Sequence, residues 1–476
     1  MTVSQSILVW FRNDLRIHDN QTLFKASQQS SNIIPIFIFD PRWFRMLDLG
    51  FKKTEIRRTQ FLIEAVQNLR ENLAKIGSNL VVRIGKPEEI LPQLAQQYNA
   101  SAIYVSKEVT QEETDVEKRL ESKGLKIHYF WQATLYHLDD LPFSIQQLPD
   151  VFTAFRNKIE KFVKIRNGYP IPKTLVWDAA IDIGKIPTLT DLGFSQTLNQ
   201  NPKAVMVFEG GETAGLAHLH QYFWQKDLLK TYKQTRNGLL GADYSSKFSV
   251  WLANGCLSPR YIYEEVKRYE RERTANDSTY WLIFELIWRD YFRFIALKYG
   301  NCIFFAEGIK NDSQTDWKHD AKRFDLWKNG ETGIPFIDAN MIELAETGFM
   351  SNRGRQNVAS FLAKDLKIGW TWGAVWFESQ LLDYDVCSNW GNWTYVAGIG
   401  NDPRENRYFN ILTQATRYDE KGLYVKHWLP QLSDIPTDRV HLVALLAPNE
   451  QSQYGVRIGV NYPNAVINVA KWLKKN

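Results

Sequence analysis

Five apolar, β-branched runs recur through the first 135 residues: SILVWF (6–11), NIIPIFIF (32–39), NLVVRI (79–84), ASAIYVS (100–106) and LKIHYFW (125–131). Helical patterns separate them, around 20–29, 54–76, 87–99 and 110–123. Runs without polar alternation are buried on both faces, and strands spaced by helices make parallel βαβ units. The spacing therefore predicts a five-stranded, parallel, doubly wound sheet over residues 1–135. Ligands of such sheets sit beyond the carboxyl ends of the strands. The first strand runs into WFRNDLR, with no Gly-x-Gly-x-x-Gly, which argues against a standard dinucleotide site there.

Residues 136–205 read differently. Prolines and polar residues dominate, as in NGYPIPKTLVWD, and periodicity is weak. We expect a connector crossing the surface, with short helices inside it. From 206 to 476 the pattern is helical. STYWLIFELIWRDYFRFIALKYG is apolar nearly all round, which places that helix at the centre of a helical domain.

At 476 residues, two or more domains are expected. Net charge is +5, too little to prove a polyanionic partner without a local patch. The three cysteines, Cys256, Cys302 and Cys387, form no Cys-x-x-Cys pair, against zinc and against a disulfide framework. No run of 18 apolar residues suggests a membrane span, and the start lacks a signal-peptide core. A cytoplasmic monomer is the expectation.

Four stretches carry chemistry. Glu285 and Arg289 share a face of the central helix among large apolar neighbours; they line a cavity or form an i, i+4 ion pair on a wet face. Ser245, Ser246, Lys247, Phe248 and Ser249 precede a helix and offer donors for an anion, or a simple N-cap. Asn352, Arg353 and Arg355 open a helix, and Asp365 lies about three turns further on, on a functional face or a solvated one. Last, LLDYDVCSNWGNWTY (381–395) sets Asp383, Asp385 and Asn389 among tryptophans, five of which fall between Trp370 and Trp393. Core filling accounts for clustered tryptophans alone. Carboxylates beside them suit a planar ligand with N–H donors along one edge, such as a flavin or pterin.

These stretches, with WFRNDLRIHDN, GGETAGL, SSKFSVWLANGCLSPR, LIWRDYFR, NRGRQNVASFLAKDL and DYDVCSNWGNWTYVAGIGNDPRENRYFN, resemble the photolyase/cryptochrome family, and its DASH branch in particular. The resemblance runs nearly from end to end. It implies an N-terminal α/β domain, an interdomain loop and a C-terminal helical domain holding FAD. By motif, Tyr232, Ser245 to Ser249, Arg289, Asp383, Tyr384 and Asp385 would contact FAD. Arg355 and Asp365 would form a salt bridge flanking the flavin, and Asn389 would face its N5 atom. Trp393, Trp370 and Trp317 match a row that passes electrons from the surface to the flavin.

The resemblance also implies a blue-light-dependent lyase. Excited reduced FAD would split cyclobutane pyrimidine dimers by electron transfer, the dimer being flipped from DNA into a pocket. Glu285, Trp288, Asn352, Arg353, Gln356 and Tyr395 match positions lining that pocket, with Glu285 and Asn352 on the dimer. Arg236 matches a phosphate-contacting position. Tyr395 and Gln356 stand where duplex-repairing members have Trp and Met, which points to a preference for single-stranded DNA. Glu108, at the end of the fourth strand, matches a carboxylate contacting a 5,10-methenyltetrahydrofolate antenna, or is a solvated first-turn Glu. A DNA-binding photoreceptor that regulates transcription without repair is the alternative function.

Overall fold

The computed structural model describes residues 5–312, 314–404 and 407–473. The expected sheet is present. Its strands are β1 (Ser6–Phe11), β2 (Ile33–Phe39), β3 (Val81–Ile84), β4 (Ala100–Ser106) and β5 (Ile127–Phe130), all parallel, in the order β3-β2-β1-β4-β5. The order reverses at β1, which is why helices cover both faces. Helices α1 (Gln21–Gln29) and α2 (Ile56–Lys75) pack on the face of Ile7, Val9 and Phe11. Helices α3 (Pro87–Gln97) and α4 (Gln111–Glu121) cover Leu8 and Trp10 on the other.

The connector holds a regular helix, α5 (Phe152–Phe162); from 163 to 211 the chain has neither helix nor sheet strand. It is still tied down. Val82 N–H donates to Ile183 O at 2.8 Å, Leu175 N–H to Ile76 O at 2.8 Å, and Leu192 and Phe194 bury their side chains against the first core face. Backbone hydrogen bonds to the rim of the sheet replace internal secondary structure.

The helical pattern expected to the end of the chain thins after Ala397. Beyond it lie short helices at Ile411–Tyr418, Leu423–Trp428 and Pro448–Gln453, joined by tight turns. The central helix is Asp277–Tyr299. Asn276 caps it, accepting from Ser278 and Thr279 N–H, while Thr279 Oγ1 accepts from Asn276 N–H; such a box stabilises a helix by about 1 kcal/mol. Gly300, with φ +53°, ends it.

One hydrophobic cluster runs from the Ile7–Phe11 face of the sheet through α2 into the helical part, reaching Leu286 and Trp393 without a break. Buried polar contacts cross the same junction. Asp290 accepts from Leu135 N–H at 2.9 Å and Tyr136 N–H at 2.7 Å. Asp19 pairs with Arg260 at 2.6 Å, and Glu212 accepts from Ile17 and His18 N–H, both at 2.9 Å. Among the described residues no helix is long and apolar enough to cross a membrane.

Candidate functional site: a cavity around the central helix

A cavity of about 700 Å³ opens between the central helix, the 244–253 segment, the Asn352–Ser360 helix and residues 381–396. That lies within the roughly 300–1,000 Å³ of small-molecule sites. Each wall owes its place to a local device. Ser351 caps the Asn352–Ser360 helix through Gly354 N–H, turning Asn352, Arg353, Arg355 and Gln356 to the cavity. Asp385 caps the Val386–Ala397 helix through Ser388 N–H at 2.8 Å, which sets Asn389, Trp393 and Tyr395 along one side.

The structure brings most of the sequence-derived residues together. Tyr232, Arg236, Ser245 to Ser249, Glu285, Trp288, Arg289, Asp383, Tyr384 and Asp385 line the cavity with those just named. Four do not. Trp370, Trp317, Asp365 and Glu108 lie elsewhere among the described residues.

The pairings differ from the sequence expectation. Glu285 and Arg289 both face the cavity but do not pair. Glu285 Oε1 binds Arg236 Nη2 at 2.7 Å, and Arg289 reaches Asp385 at 3.6 Å and the Ala133 carbonyl. Burial pushes the Glu285 carboxyl up, against the pull of Arg236 and Arg353. Burial also opposes ionisation of Asp385, but Arg289 and Arg293 prevail and its carboxyl sits below the ordinary value.

Asp365 does not meet Arg355. Its carboxylate accepts from Tyr408 Oη at 2.8 Å and Lys471 Nζ at 2.6 Å, on the side of the C-terminal segment. A π turn at Phe361–Asp365 follows the Asn352–Ser360 helix and winds the chain more loosely, so counting α-helical turns misplaces residue 365. The partner of Arg355 is Asp383: Nη2 donates to Oδ2 at 2.9 Å, while Nε donates to Met350 O at 2.9 Å.

Lys247 takes a left-handed backbone (φ +53°) and turns inward. Its ammonium donates to Ala242 O at 2.6 Å and sits 3.7 Å from the Tyr244 ring centre; burial draws its pKa down to about 7. Lys247 therefore holds its own loop, and the cation that the sequence offered to an anion is already engaged.

Trp393 is in the cavity wall, Trp370 is fully buried, and Trp317 is half-buried. Trp370 Nε1 donates to Ala306 O at 3.1 Å, and its ring meets Trp390 edge-on with centroids 5.7 Å apart. Glu108 is not solvated. It is buried at the junction, paired with Arg293 and within 3.4 Å of Asn13 Nδ2.

Sequence reasoning missed three contributors. Phe152 in α5 lies against Trp288, and no pattern distinguishes it from any other connector phenylalanine. Arg404 and Arg407 line the cavity mouth, with Arg407 stacked 5.2 Å from the Tyr395 ring centre. Two arginines in the proline-containing loop just past the aromatic stretch were the available signal.

The donor set fits a flavin. Asp383 Oδ1 is buried, in the cavity wall, and has no partner among the described residues. Asn389 Nδ2 donates to Ala374 O at 3.0 Å, which fixes the amide. Aromatic rings form much of the remaining wall. A flat ring system with edge N–H groups satisfies that oxygen and fills the aromatic space.

Comparison with known proteins agrees. Residues 281–476 match the family model of the FAD binding domain of DNA photolyase, and residues 7–173 match that of DNA photolyase. Cryptochrome DASH of Synechocystis sp. is 54% identical over 471 residues, covering 98% of this chain and 96% of that one. Cryptochrome DASH of Xenopus laevis is 49% identical, covering 98% and 91%. The crystal structure of Synechocystis sp. PCC6803 cryptochrome superposes with a TM-score of 0.94 at 53% identity over 99% of both chains. A class III photolyase from Agrobacterium tumefaciens gives 0.84 at 26% identity, covering 99% of this chain and 96% of that one. Fold, cavity and kinship together make this chain a member of the photolyase/cryptochrome family, in its cryptochrome DASH branch.

Proposed function

We propose that the protein is a light-dependent lyase that splits cyclobutane pyrimidine dimers in DNA, with a preference for single strands. One observation carries the reading: a single cavity is lined both by the Arg355–Asp383 pair with its free carboxylate oxygen and by Glu285, braced by Arg236, together with Trp288 and Tyr395. The residues assigned to the cofactor and those assigned to the flipped base thus belong to one cavity. When bound, reduced FAD supplies a light-driven one-electron donor.

The residues of the chain do the rest. Asp383 accepts from the edge of the cofactor, and Arg355 counters negative charge beside it. Asn389 lines the cavity with its amide nitrogen held by Ala374 O. Glu285 holds a proton more readily than an exposed Glu, so its carboxyl can donate to a pyrimidine carbonyl. Arg236 and Arg353, with Arg404 and Arg407 at the mouth, attract the phosphate backbone. Trp393, Trp370 and Trp317 relay electrons inward from the surface to the cofactor.

Preference for single strands rests on Tyr395 and Gln356. Gln356 Oε1 is occupied by Arg353 Nη1 at 2.8 Å, and Tyr395 offers a smaller ring than Trp. Weaker stacking repays less of the few kcal/mol needed to flip a nucleotide from a duplex. A folate antenna beside Glu108 belongs to the same proposal; the carboxylate sits at the junction of sheet and helices, held by Arg293.

The test is illumination of reduced, FAD-loaded protein with dimer-containing oligonucleotides, single- and double-stranded, followed by thymine absorbance. Recovery with single strands first supports the reading. Equal rates on duplex remove the strand preference, and no recovery on either removes the lyase.

A further inference from the structure

Behind Arg355 lies a carboxyl group that the proposed chemistry does not use. Glu343, in the Pro335–Thr347 helix, has none of its surface exposed. Its Oε2 accepts from Tyr424 Oη at 2.7 Å, and its Oε1 has no partner among the described residues. A buried carboxylate with one neutral hydrogen bond and no ion pair costs several kcal/mol, and such a group keeps its proton instead. Burial accordingly pushes Glu343 up to about 8.

Its titratable neighbours are few. Arg355 and Lys247 face it from the cavity side and favour its ionised form. Tyr244 and Tyr424 present hydroxyls, and the Tyr244 hydroxyl is buried with no partner among the described residues. Asp419 stands behind Tyr424, accepting its N–H at 2.9 Å, with His441 3.9 Å beyond. Lys247 is itself drawn down to about 7. Arg355 is therefore the lasting positive charge next to Glu343, and it also holds Asp383 at the cavity wall.

We propose that Glu343 is a positioning residue that sets the electron affinity of the flavin site through Arg355. With its proton on, Arg355 and Asp383 balance one another. With its proton off, the three groups carry a net negative charge, which opposes addition of an electron to the bound ring. The inference rests on the flavin reading of the cavity, and it assigns to Glu343 no contact with substrate or cofactor.

The experiment is a dithionite titration of the FAD-loaded protein under argon, wild type and Glu343→Gln, at intervals from about pH 6 to pH 10. The amide is the neutral isostere. The two midpoint potentials are expected to coincide at the acid end. The wild-type curve then bends below that of the variant on passing about 8. Glu343 also favours the ionised form of Lys247, so the comparison is repeated in a Lys247→Met background, where the difference isolates Glu343. Parallel curves at every pH overturn the proposal. Tyr424→Phe removes the one hydrogen bond to the carboxylate and should move the bend to higher pH; a bend that stays in place overturns the proposal even if the Gln variant does not fold. Wild-type protein without visible flavin bands overturns this inference together with the cofactor reading, whereas a flavin-loaded protein with parallel curves overturns the inference alone.

Discussion

Phe152 and Trp288 lie face to face, ring centroids 3.6 Å apart and planes 8° from parallel. One residue belongs to the connector helix α5 and the other to the cavity wall, so the connector braces the pocket. Phe152→Ala removes an aromatic pair worth about 0.5–1.5 kcal/mol. Dimer-containing single strands should bind about 2- to 10-fold more weakly, with FAD content unchanged. Unaltered affinity would show that Trp288 needs no support.

Glu285→Ala should cripple repair while FAD stays bound. Removing the carboxyl donor and leaving its buried acceptor unsatisfied costs about 1–3 kcal/mol, or roughly 5- to 160-fold in rate. Light-dependent thymine recovery is the readout. Undiminished repair would mean that the dimer does not sit against Glu285.

The two arginine–carboxylate alternatives separate cleanly. Asp365→Ala should leave FAD content intact but free Lys471 and Tyr408, costing about 1–3 kcal/mol and exposing the C-terminal segment to protease. Asp383→Ala should abolish stable FAD binding. The reverse result would restore the pairing that the sequence suggested.

Trp370→Phe should suppress light-driven reduction of oxidised flavin, since the proposed relay from Trp317 to Trp393 runs through Trp370, which is fully buried. Chemically reduced variant should still repair dimers. Transient absorption after a laser flash distinguishes the two. Normal photoreduction would show that electrons travel by another route, for instance through Trp390.

Asp290 gives a pH signature. It is fully buried, and burial pushes its pKa up to about 7 from the ordinary aspartate value of 3.8. Between those values the folded chain holds a proton that the unfolded chain has released. Stability therefore falls as pH rises through that window, by up to about 1.4 kcal/mol per unit, and levels off above 7. Asp290→Asn should lower the melting temperature at pH 5 yet flatten its decline toward pH 7. An unchanged slope would assign the decline to other carboxyls, such as Asp338.

The sheet was legible because strands buried on both faces leave uninterrupted runs such as IIPIFIF. The cavity residues were legible as motifs, while their partners were not. Glu285 prefers Arg236 to Arg289 because the neighbouring segment brings a guanidinium closer than its own helix does. The π turn at Phe361–Asp365 leaves no mark in residue type, so Asp365 was placed on the wrong face. Phe152 and Glu343 became visible only once distant segments were packed together.

The unbroken apolar core between sheet and helices works as a fixed ruler. Any pigment lodged on the α/β side would stand at a separation from the flavin cavity set by packing rather than by a swinging hinge. The efficiency of passing excitation between them then becomes a constant of the architecture, and chemistry at either end can be altered without re-tuning the gap.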